Sequence, residues 1–407
     1  MPSAAVYRRR RLAVGGGLLA TLAAAVYLPM TLLAPLQPAD LSPTPTPDEA
    51  LPGVALDLPG YGAAAIGAVG YDGVLAAQES SSPLPLASIT KVVTALVVLD
   101  AHPLAADEAG PTLTMGSTDV GYLGQVLADD GQAAPVTEGL QLSERQVLEL
   151  ALVHSANNYA LSLSTWAFGS QEAFVQAAAA WLAAQGFTTI VVNEPTGLDP
   201  ANVGSATELV RLGELALANP VIAQIVGTGS IDVPGVGSFD NTNALLGVDG
   251  VTGIKTGTLD EANLLFSASY DVEGEAVTLV GVILGAVNHR ILDDDVVALL
   301  DTARVGFVRV PLVTAGESFG TLATDWGDTA QAVATEDASV VVWNAGVVTT
   351  RARIDPVLLG DDGDPVGSVT ITVGPDTVTV PLELDGELDD PGPWWRLGHP
   401  GLAFGAP

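Results

Sequence analysis

The pattern of apolar and polar positions divides the chain into segments of different character. Residues 12–34 form a run without charged side chains that directly follows four arginines at positions 8–11. As a helix rising 1.5 Å per residue, this run would span about 35 Å, enough to cross a bilayer. The arginines would hold its first end in the cytoplasm, so everything after it would lie outside. We therefore predict a cytoplasmic basic tail over residues 1–11 and a transmembrane segment over residues 12–34.

The same run has features of both an anchor and an export signal. Residues 23–25 are three alanines, which would serve as a small-residue cleavage site. Apolar residues continue beyond them, which favours retention as an anchor. Either outcome exports the rest of the chain, as a membrane-anchored extracytoplasmic protein or, after cleavage, as a secreted one.

Residues 35–60 are rich in proline, including two Pro-Thr repeats that begin at Pro43. Such a stretch cannot propagate a helix and is typical of an extended spacer. We predict a linker that separates the membrane segment from the folded part.

Residues 61–310 mix helix and strand patterns. Strand patterns occur near residues 61–78 and return at 263–270 and 276–285, whereas capping residues such as Ser143 and Ser205 open helices between them. This order predicts a sheet built from both ends of the segment and covered by a helical cluster. Residues 311–407 show strand patterns only, for example at 366–373 and 377–384, and predict a small all-β domain.

Composition narrows the possible functions. The chain carries 14 Lys and Arg against 47 Asp and Glu, a formal charge of -33, which disfavours nucleic acid as a partner. The absence of cysteine excludes disulfides and thiolate nucleophiles. Only two lysines are present, Lys91 and Lys255, so each is a candidate for chemistry.

Lys91 follows Ser88 at a spacing of three residues, at the start of an apolar run long enough for a buried helix. On a helix these two side chains share a face, so the hydroxyl could approach the amine. A neutral lysine amine can serve as the base that a serine nucleophile requires, and burial lowers the lysine pKa. Taken alone, a Ser-x-x-Lys spacing also occurs by chance.

Two further groups could join this pair. Ser155 and Asn157 lie in a loop between predicted helices, where a hydroxyl and an amide could face a cleft, although Ser155 could equally be an ordinary helix cap. Lys255 begins the sequence Lys-Thr-Gly-Thr on a predicted edge strand. Gly257 would let a substrate backbone approach the strand, and the ammonium with its neighbouring hydroxyl suits a substrate carboxylate. A solvated edge lysine is the plain alternative.

Ser-x-x-Lys, Ser-x-Asn and Lys-Thr-Gly occur here in the order and approximate spacing of the penicillin-recognising serine enzymes. The flanking residues 87–96, 197–199, 205–209, 241–246 and 250–257 sharpen the match. Over residues 61–307 the chain resembles the low-molecular-mass penicillin-binding proteins, specifically the serine-type D-alanyl-D-alanine carboxypeptidases. The resemblance implies a penicillin-binding/β-lactamase-like α+β transpeptidase fold with an antiparallel sheet, and the partners of that family, peptidoglycan stem peptides and β-lactam antibiotics.

The resemblance also implies roles for individual residues. Ser88 would attack the carbonyl between two terminal D-alanines, with Lys91 as general base and Ser155 as proton relay. The backbone N–H groups of Ser88 and Thr258 would form the oxyanion hole. The residues expected to hold the substrate are Asn157, Lys255, Thr256, Gly257, Thr258 and Arg290. Neither a metal nor an organic cofactor is implied.

The sequence departs from the family pattern at Asn158, where an aspartate is common, and at Leu259 and Asn263. These departures bear on substrate preference and deacylation. DD-endopeptidase activity therefore stays open beside carboxypeptidase activity.

Two other functions fit parts of the pattern. A class A β-lactamase shares the three motifs, and Glu194 falls where such enzymes carry a deacylating glutamate, but Leu198 replaces their expected asparagine. A non-catalytic β-lactam sensor or wall-binding module would need an output domain, and only eleven residues precede the apolar run. A triad built on His154 is disfavoured because adjacent residues point apart. We predict the remaining histidines, His102, His289 and His399, to be surface residues.

Overall fold

The computed structural model describes residues 4–51, 53–79, 81–343, 346–374 and 376–401. The chain forms two units. The core unit comprises Val54–Val308, and the tail unit comprises Met1–Gly53 together with Arg309–Pro407. Residues 1–3 of the predicted basic tail and 402–407 of the predicted all-β domain lie outside the described residues.

The secondary structure elements follow the chain in this order: α1 (Ala4–Leu32), β1 (Asp40–Pro43), β2 (Glu49–Ala50), β3 (Ala63–Ala68), β4 (Ala76–Gln78), β5 (Leu84–Pro85), a 3-10 turn (Ala87–Ile89), α2 (Thr90–Ala101), β6 (Thr112–Thr114), α3 (Ser117–Ala128), β7 (Gln141–Ser143), α4 (Glu144–Leu152), α5 (Asn157–Phe168), α6 (Gln171–Ala184), β8 (Val203–Gly204), α7 (Ala206–Ala218), α8 (Pro220–Val226), β9 (Ser230–Val233), β10 (Gly237–Asp240), β11 (Val251–Thr258), β12 (Ala262–Val272), β13 (Glu275–Ala286), α9 (His289–Arg304), β14 (Phe307–Val313), β15 (Ser318–Ala323), β16 (Thr329–Ala334), β17 (Ala338–Trp343), β18 (Val347–Ile354), β19 (Pro365–Val373), β20 (Asp376–Asp385) and α10 (Gly392–Gly398).

The core unit is built on a five-stranded sheet in the order β11-β12-β13-β3-β4. All its neighbouring strands pair antiparallel. Strands from the start of the unit thus form one edge, and β11, which carries Lys255, forms the other. The predicted fold class, an antiparallel sheet with a helical cluster, is confirmed.

The helix α2 runs through the middle of the helical cluster, and every residue from Thr90 to Leu99 is buried. A helix that is apolar on all sides must be enclosed by other elements, and α2 contacts α4, α5, α6 and α7. The reactive residues of its first turn are therefore fixed by packing on several sides. The α4 helix opens with the predicted capping box, in which Ser143 Oγ accepts from Gln146 N at 3.2 Å.

A buried carboxylic acid lies at the start of α4. The Glu144 side chain is completely buried, and neither carboxylate oxygen has a hydrogen-bond partner within the described residues. Burial raises its pKa from 4.5 to about 7. The folded chain therefore keeps a proton on Glu144 that the unfolded chain loses, and the free energy of unfolding falls as pH rises from about 4.5 through about 7.

We expect Glu144→Gln to remove most of this pH dependence. Two and a half pKa units correspond to about 3 kcal/mol, so the variant should gain several degrees in unfolding temperature at pH 8 relative to wild type. At pH 5 the gain should be much smaller. Calorimetry of the full chain in mild detergent measures both, with the exposed Glu138→Gln as a control. An equal effect of Glu144→Gln at the two pH values would contradict the assignment.

The tail unit is dominated by a seven-stranded sheet in the order β1-β15-β16-β20-β19-β18-β2. Apolar residues on β15, β16, β19 and β20 alternate with polar ones and form its hydrophobic core. The all-β character expected after residue 310 is thus observed in the described part of that segment, with α10 following the last strand. By length and composition, α1 could cross a membrane.

The proline-rich segment differs from the predicted free linker. It is extended, but Asp40–Pro43 pairs with β15 and Glu49–Ala50 pairs with β18. These two strands form both edges of the seven-stranded sheet. Edge strands tolerate proline because their outer N–H groups need no partner in the sheet, and proline there discourages further strand addition.

Candidate active site

Ser88 and Lys91 meet at the entrance to α2. Ser88 lies in the 3-10 turn Ala87–Ile89, and Lys91 is in the first turn of the helix that follows. Lys91 Nζ donates to Ser88 Oγ at 2.8 Å. The predicted pairing across three residues is therefore present, and it needs only local helical geometry.

The Lys91 amine is buried and held by three acceptors. Its side chain is 1% exposed, and besides Ser88 it donates to Asn157 Oδ1 at 2.5 Å and to the carbonyl of Thr196 at 2.8 Å. Burial lowers the Lys91 pKa well below the ordinary lysine value, and the positive charge of Lys255 lowers it further, against an opposing effect of Glu194. A larger share of neutral amine is therefore present at a given pH than for a lysine in water.

Ser155 and Asn157 lie at the start of α5, beside this pair. Asn157 is the first residue of α5 and its backbone N–H donates to Gln132 O at 2.8 Å. Ser155 is 5% exposed and has φ of 63°, in the left-handed region that non-glycine residues rarely occupy. Ala87, next to Ser88, also has a positive φ, of 48°. Two strained residues thus flank the reactive groups, a common feature of functional sites.

Asn158 explains one departure from the family pattern. Its side chain is 1% exposed, accepts from Ala134 N at 3.1 Å and donates to Ala134 O at 3.0 Å. An amide can satisfy both backbone groups, which an ionised aspartate cannot. The residue therefore fixes the loop that precedes β7 and does not line the cavity.

The second lysine lies on edge strand β11. Lys255 is 1% exposed, and its amine donates to Thr256 O at 3.3 Å and lies 3.5 Å from the hydroxyls of Thr242 and Thr256. Burial lowers its pKa to about 7. The plain alternative of a solvated edge lysine is wrong, because the β11 edge faces α8 and the turn that carries Ser88.

Gly257 has a different neighbour from the one predicted. A side chain at this position would meet Leu86 O at 2.8 Å and Ala87 Cβ at 3.1 Å. The missing side chain thus lets β11 pack closely on the turn that presents Ser88. Its contribution to the site is this approach of protein to protein, whereas we had predicted an approach of substrate.

Thr242 was missed as a site residue. Its hydroxyl lies 2.6 Å from that of Thr256, and its backbone N–H donates to Val153 O at 3.1 Å. The segment containing it, residues 241–246, was among the flanks that carried the resemblance. Only its contact with β11, which depends on the folding of the intervening loop, shows that Thr242 faces the site.

Glu194 organises the loop that supports Lys91. Its carboxylate accepts from Thr196 N at 2.7 Å, from Gly197 N at 2.5 Å and from Asn202 Nδ2 at 2.9 Å. The carbonyl of Thr196 then points at Lys91. Gly197, with φ of 90°, approaches Ala87 so closely that a Cβ would lie 1.8 Å from its carbonyl oxygen.

His289 and Arg290 are neighbours at the start of α9 with different surroundings. His289 Nε2 lies 2.7 Å from Thr258 Oγ1, so its prediction as a plain surface residue is wrong. The Arg290 guanidinium is exposed and pairs with Asp294 at 3.3 Å, so in this conformation it is turned away from the cavity. His154 contacts Gln132 and the ring of Phe239 and is not paired with Ser155.

These elements enclose a cavity of about 750 Å³. The residues that line it come from six separate segments: Ser88, Asp129, Asp130, Gly131, Gln132, Ser155, Asn157, Leu198, Thr242, Thr256, Thr258, Leu259, Asp260 and His289. The cavity thus brings together the nucleophile candidate, the relay serine and the two threonines of β11. In the described parts of the chain, no group of three or more His, Asp or Glu is placed to bind a metal ion.

Similarity to known proteins supports this assembly. The chain is 36% identical over 151 residues to a D-alanyl-D-alanine endopeptidase of Pseudomonas aeruginosa, covering 37% of this chain and 46% of that protein. It is 32% identical to the D-alanyl-D-alanine carboxypeptidase DacB2 of Mycobacterium tuberculosis, covering 47% and 64%. The chain therefore spans about half the length of these relatives.

A solved structure shares the fold. Penicillin binding protein 5 from Haemophilus influenzae superimposes with a TM-score of 0.57 at 19% identity, over 85% of this chain and all of that one. The family model described as D-alanyl-D-alanine carboxypeptidase, peptidase family S11, matches residues 68–288, which is more than half of the chain. The chain therefore belongs to the D-alanyl-D-alanine carboxypeptidase family.

Proposed function

We propose that this protein is a serine D-alanyl-D-alanine carboxypeptidase that trims peptidoglycan stem peptides and is inhibited by β-lactams. The observation that carries the proposal is the 2.8 Å contact between Ser88 Oγ and the buried amine of Lys91. A serine hydroxyl needs a base within hydrogen-bond distance, and a neutral amine meets that need.

Acylation would begin with attack of Ser88 Oγ on the carbonyl carbon between the last two D-alanines. Lys91 Nζ takes the hydroxyl proton as the new C–O bond forms. The tetrahedral oxyanion would be held by the backbone N–H groups of Ser88 and Thr258. The C–N bond then breaks, and the leaving amine receives a proton through Ser155, which lines the same cavity. Free D-alanine leaves, and water attacks the remaining ester to regenerate Ser88.

The other end of the cavity suits the substrate's terminal carboxylate. Thr256 and Thr258 place hydroxyls along β11, and the Lys255 ammonium lies beneath them. Asn157 would orient the substrate amide. Arg290 would turn from Asp294 toward the carboxylate, since an exposed pair of this kind contributes less than about 1 kcal/mol.

The geometry speaks against a class A β-lactamase. In such an enzyme a glutamate activates the deacylating water from the cavity wall. Here the Glu194 carboxylate accepts hydrogen bonds from its own loop and from Asn202. It does not line the cavity that contains Ser88. We therefore expect the penicillin adduct to be long-lived.

A DD-endopeptidase is the second candidate. The relatives at 36% and 33% identity, from Pseudomonas aeruginosa and Escherichia coli, are both named D-alanyl-D-alanine endopeptidases. Endopeptidase activity would use the same acyl-enzyme on Ser88 with a cross-linked amine as leaving group. The two activities differ only in what occupies the far side of the scissile bond.

One assay separates these functions. The full chain in detergent is incubated with a peptide ending in two D-alanines, with a cross-linked muropeptide and with a penicillin, beside Ser88→Ala. We expect free D-alanine from the first substrate, a lasting penicillin adduct, and neither with the variant. Rapid penicillin turnover would indicate a lactamase, cleavage of the cross-link alone an endopeptidase, and an adduct without any peptide cleavage a sensor.

We further propose that α1 anchors the enzyme with its core unit outside the cytoplasm. The helix has 29 residues, and the apolar part that follows Arg11 is largely exposed, with Leu19 71% and Val14 72% exposed. An apolar surface of this size is stable in lipid rather than in water. Intact mass of the membrane-bound protein distinguishes this anchor from a cleaved signal.

We expect His289→Ala to raise KM for the D-Ala-D-Ala peptide about tenfold with kcat changed less, because a hydrogen bond to a charged group contributes about 1.5 to 3 kcal/mol. The imidazole contacts Thr258 at the end of the cavity assigned to the carboxylate. Steady-state kinetics measures the effect, and Asp301→Ala on the exposed face of α9 is the control. An unchanged KM would remove His289 from carboxylate recognition.

A further inference from the structure

The far end of α1 is attached to the C-terminal helix of the tail unit. Tyr27 Oη donates to Leu397 O at 2.7 Å, and Arg396 Nη1 donates to Ala34 O at 2.9 Å. Arg396 is itself held by Asp390 at 2.6 Å. These contacts fix α10 beside the last turns of α1.

Aromatic rings surround this junction. The rings of Trp326 and Trp395 meet edge to face with centroids 5.6 Å apart, and both pack on the buried residues Ala34 and Leu36. The His399 ring stacks on Trp395 at 4.1 Å. The site is therefore a packed junction rather than a loose chain terminus.

Trp394 points away from this packing. Its side chain is 85% exposed, although its neighbour Trp395 is partly buried in the junction. An indole ring has a large apolar face and one N–H donor, which suits the boundary between lipid and water. We call the set Tyr27, Trp326, Trp394 and Trp395 the aromatic collar.

The length of α1 gives the depth of the collar in a membrane. From Arg11 to Tyr27 the helix rises about 24 Å, against about 30 Å for the hydrocarbon core of a bilayer. With the arginines at the cytoplasmic surface, residues 27–34 cross the outer boundary of the hydrocarbon. The hydrogen bond from Tyr27 to Leu397 places α10 at that same level. Tryptophan and tyrosine are enriched at this depth.

We propose that the aromatic collar is a second membrane contact, in which Trp394 inserts into the outer lipid interface. The inference rests on the proposed membrane anchor, because the bilayer that surrounds α1 is the surface the collar meets. Its consequence is that the tail unit is held on the membrane at α10 as well as through α1, which fixes its orientation relative to the lipid surface.

The absence of native cysteine allows a direct test. A spin label is attached to Gly398→Cys, where an added side chain has open space, in the full chain reconstituted into lipid nanodiscs. Leu19→Cys on the exposed part of α1 reports the anchor, and Leu359→Cys, 41% exposed on the tail unit, is the aqueous control. Accessibility to oxygen against a water-soluble nickel complex gives the depth of each label.

We expect the label at 398 to be more lipid-exposed than the label at 359, and to shift toward water when Trp394→Gln is added. A label at 19 in lipid with the label at 398 as wet as the control would overturn the collar but leave the anchor. A label at 19 outside the lipid would remove both. Spin–spin broadening at 398 without lipid exposure would assign the collar to a second copy of the chain instead.

Discussion

Replacing Lys91 with arginine is expected to slow acylation of Ser88 by penicillin about 100- to 10,000-fold, the usual contribution of a general base. A guanidinium stays protonated at every accessible pH and cannot accept the serine proton. Lysine can do so here because burial and the charge of Lys255 lower its pKa. Stopped-flow acylation with a chromogenic β-lactam at neutral pH measures the rate.

The larger side chain must fit a buried site, so folding is checked separately. An unfolding temperature close to that of wild type shows that the Lys91→Arg chain is intact, and Ser88→Ala gives the baseline without a nucleophile. Acylation by a folded Lys91→Arg variant at nearly the wild-type rate would contradict the assignment of Lys91 as base.

The second large effect is expected for Glu194→Ala. This change leaves the donors of Thr196, Gly197 and Asn202 without their acceptor. Loss of a part-buried carboxylate with several hydrogen bonds should cost about 3 kcal/mol of unfolding free energy. Acylation should slow about tenfold or more, because the loop that holds the Thr196 carbonyl against Lys91 loosens, and small misplacements of this kind are costly.

Penicillin acylation and release rates, together with thermal unfolding, separate this structural role from a catalytic one. Glu194→Gln keeps one acceptor oxygen and should fall between the two. A Glu194→Ala chain of normal stability that acylates normally, but then releases the adduct much more slowly, would instead show that Glu194 activates the deacylating water.

The reactive pair could be predicted because its geometry is local. Ser88 and Lys91 are three residues apart on one helical turn, and that spacing alone brings them within 2.8 Å. The scarcity of lysine directed attention to the two residues that prove to be buried at the site. Family motifs then supplied Ser155 and Asn157, whose approach to Lys91 depends on the packing of α5 against α2.

Contacts between distant segments could not be predicted in this way. Thr242 reaches Thr256 only through the fold of the loop between β10 and β11. His289 and Arg290 are adjacent at the start of α9, and the sequence does not show which of them faces the cavity. Likewise, composition predicted an extended segment before residue 60, but its pairing depends on the free edges of a sheet formed 270 or more residues later.

Proline shows the same limit at short range. We predicted that a helix ends near Asn219 and Pro220, and α7 does end there. The same proline begins α8, because it needs no N–H partner in the first turn and the Asn219 side chain caps Val221 and Ile222. A breaker and a starter of helices have the same local sequence, and the burial of α8 decides between them.

The most direct test of the proposed chemistry is to identify the atom that becomes acylated. The full chain is mixed with a penicillin, quenched in acid within seconds and digested, and the peptides are mapped by mass spectrometry. We expect one equivalent of adduct on Ser88 in the wild type and none in Ser88→Ala, with Ser155→Ala still labelled at Ser88 but more slowly. An adduct on Ser155, or no adduct on a folded chain, would contradict a serine acyl-enzyme built on the Ser88–Lys91 pair.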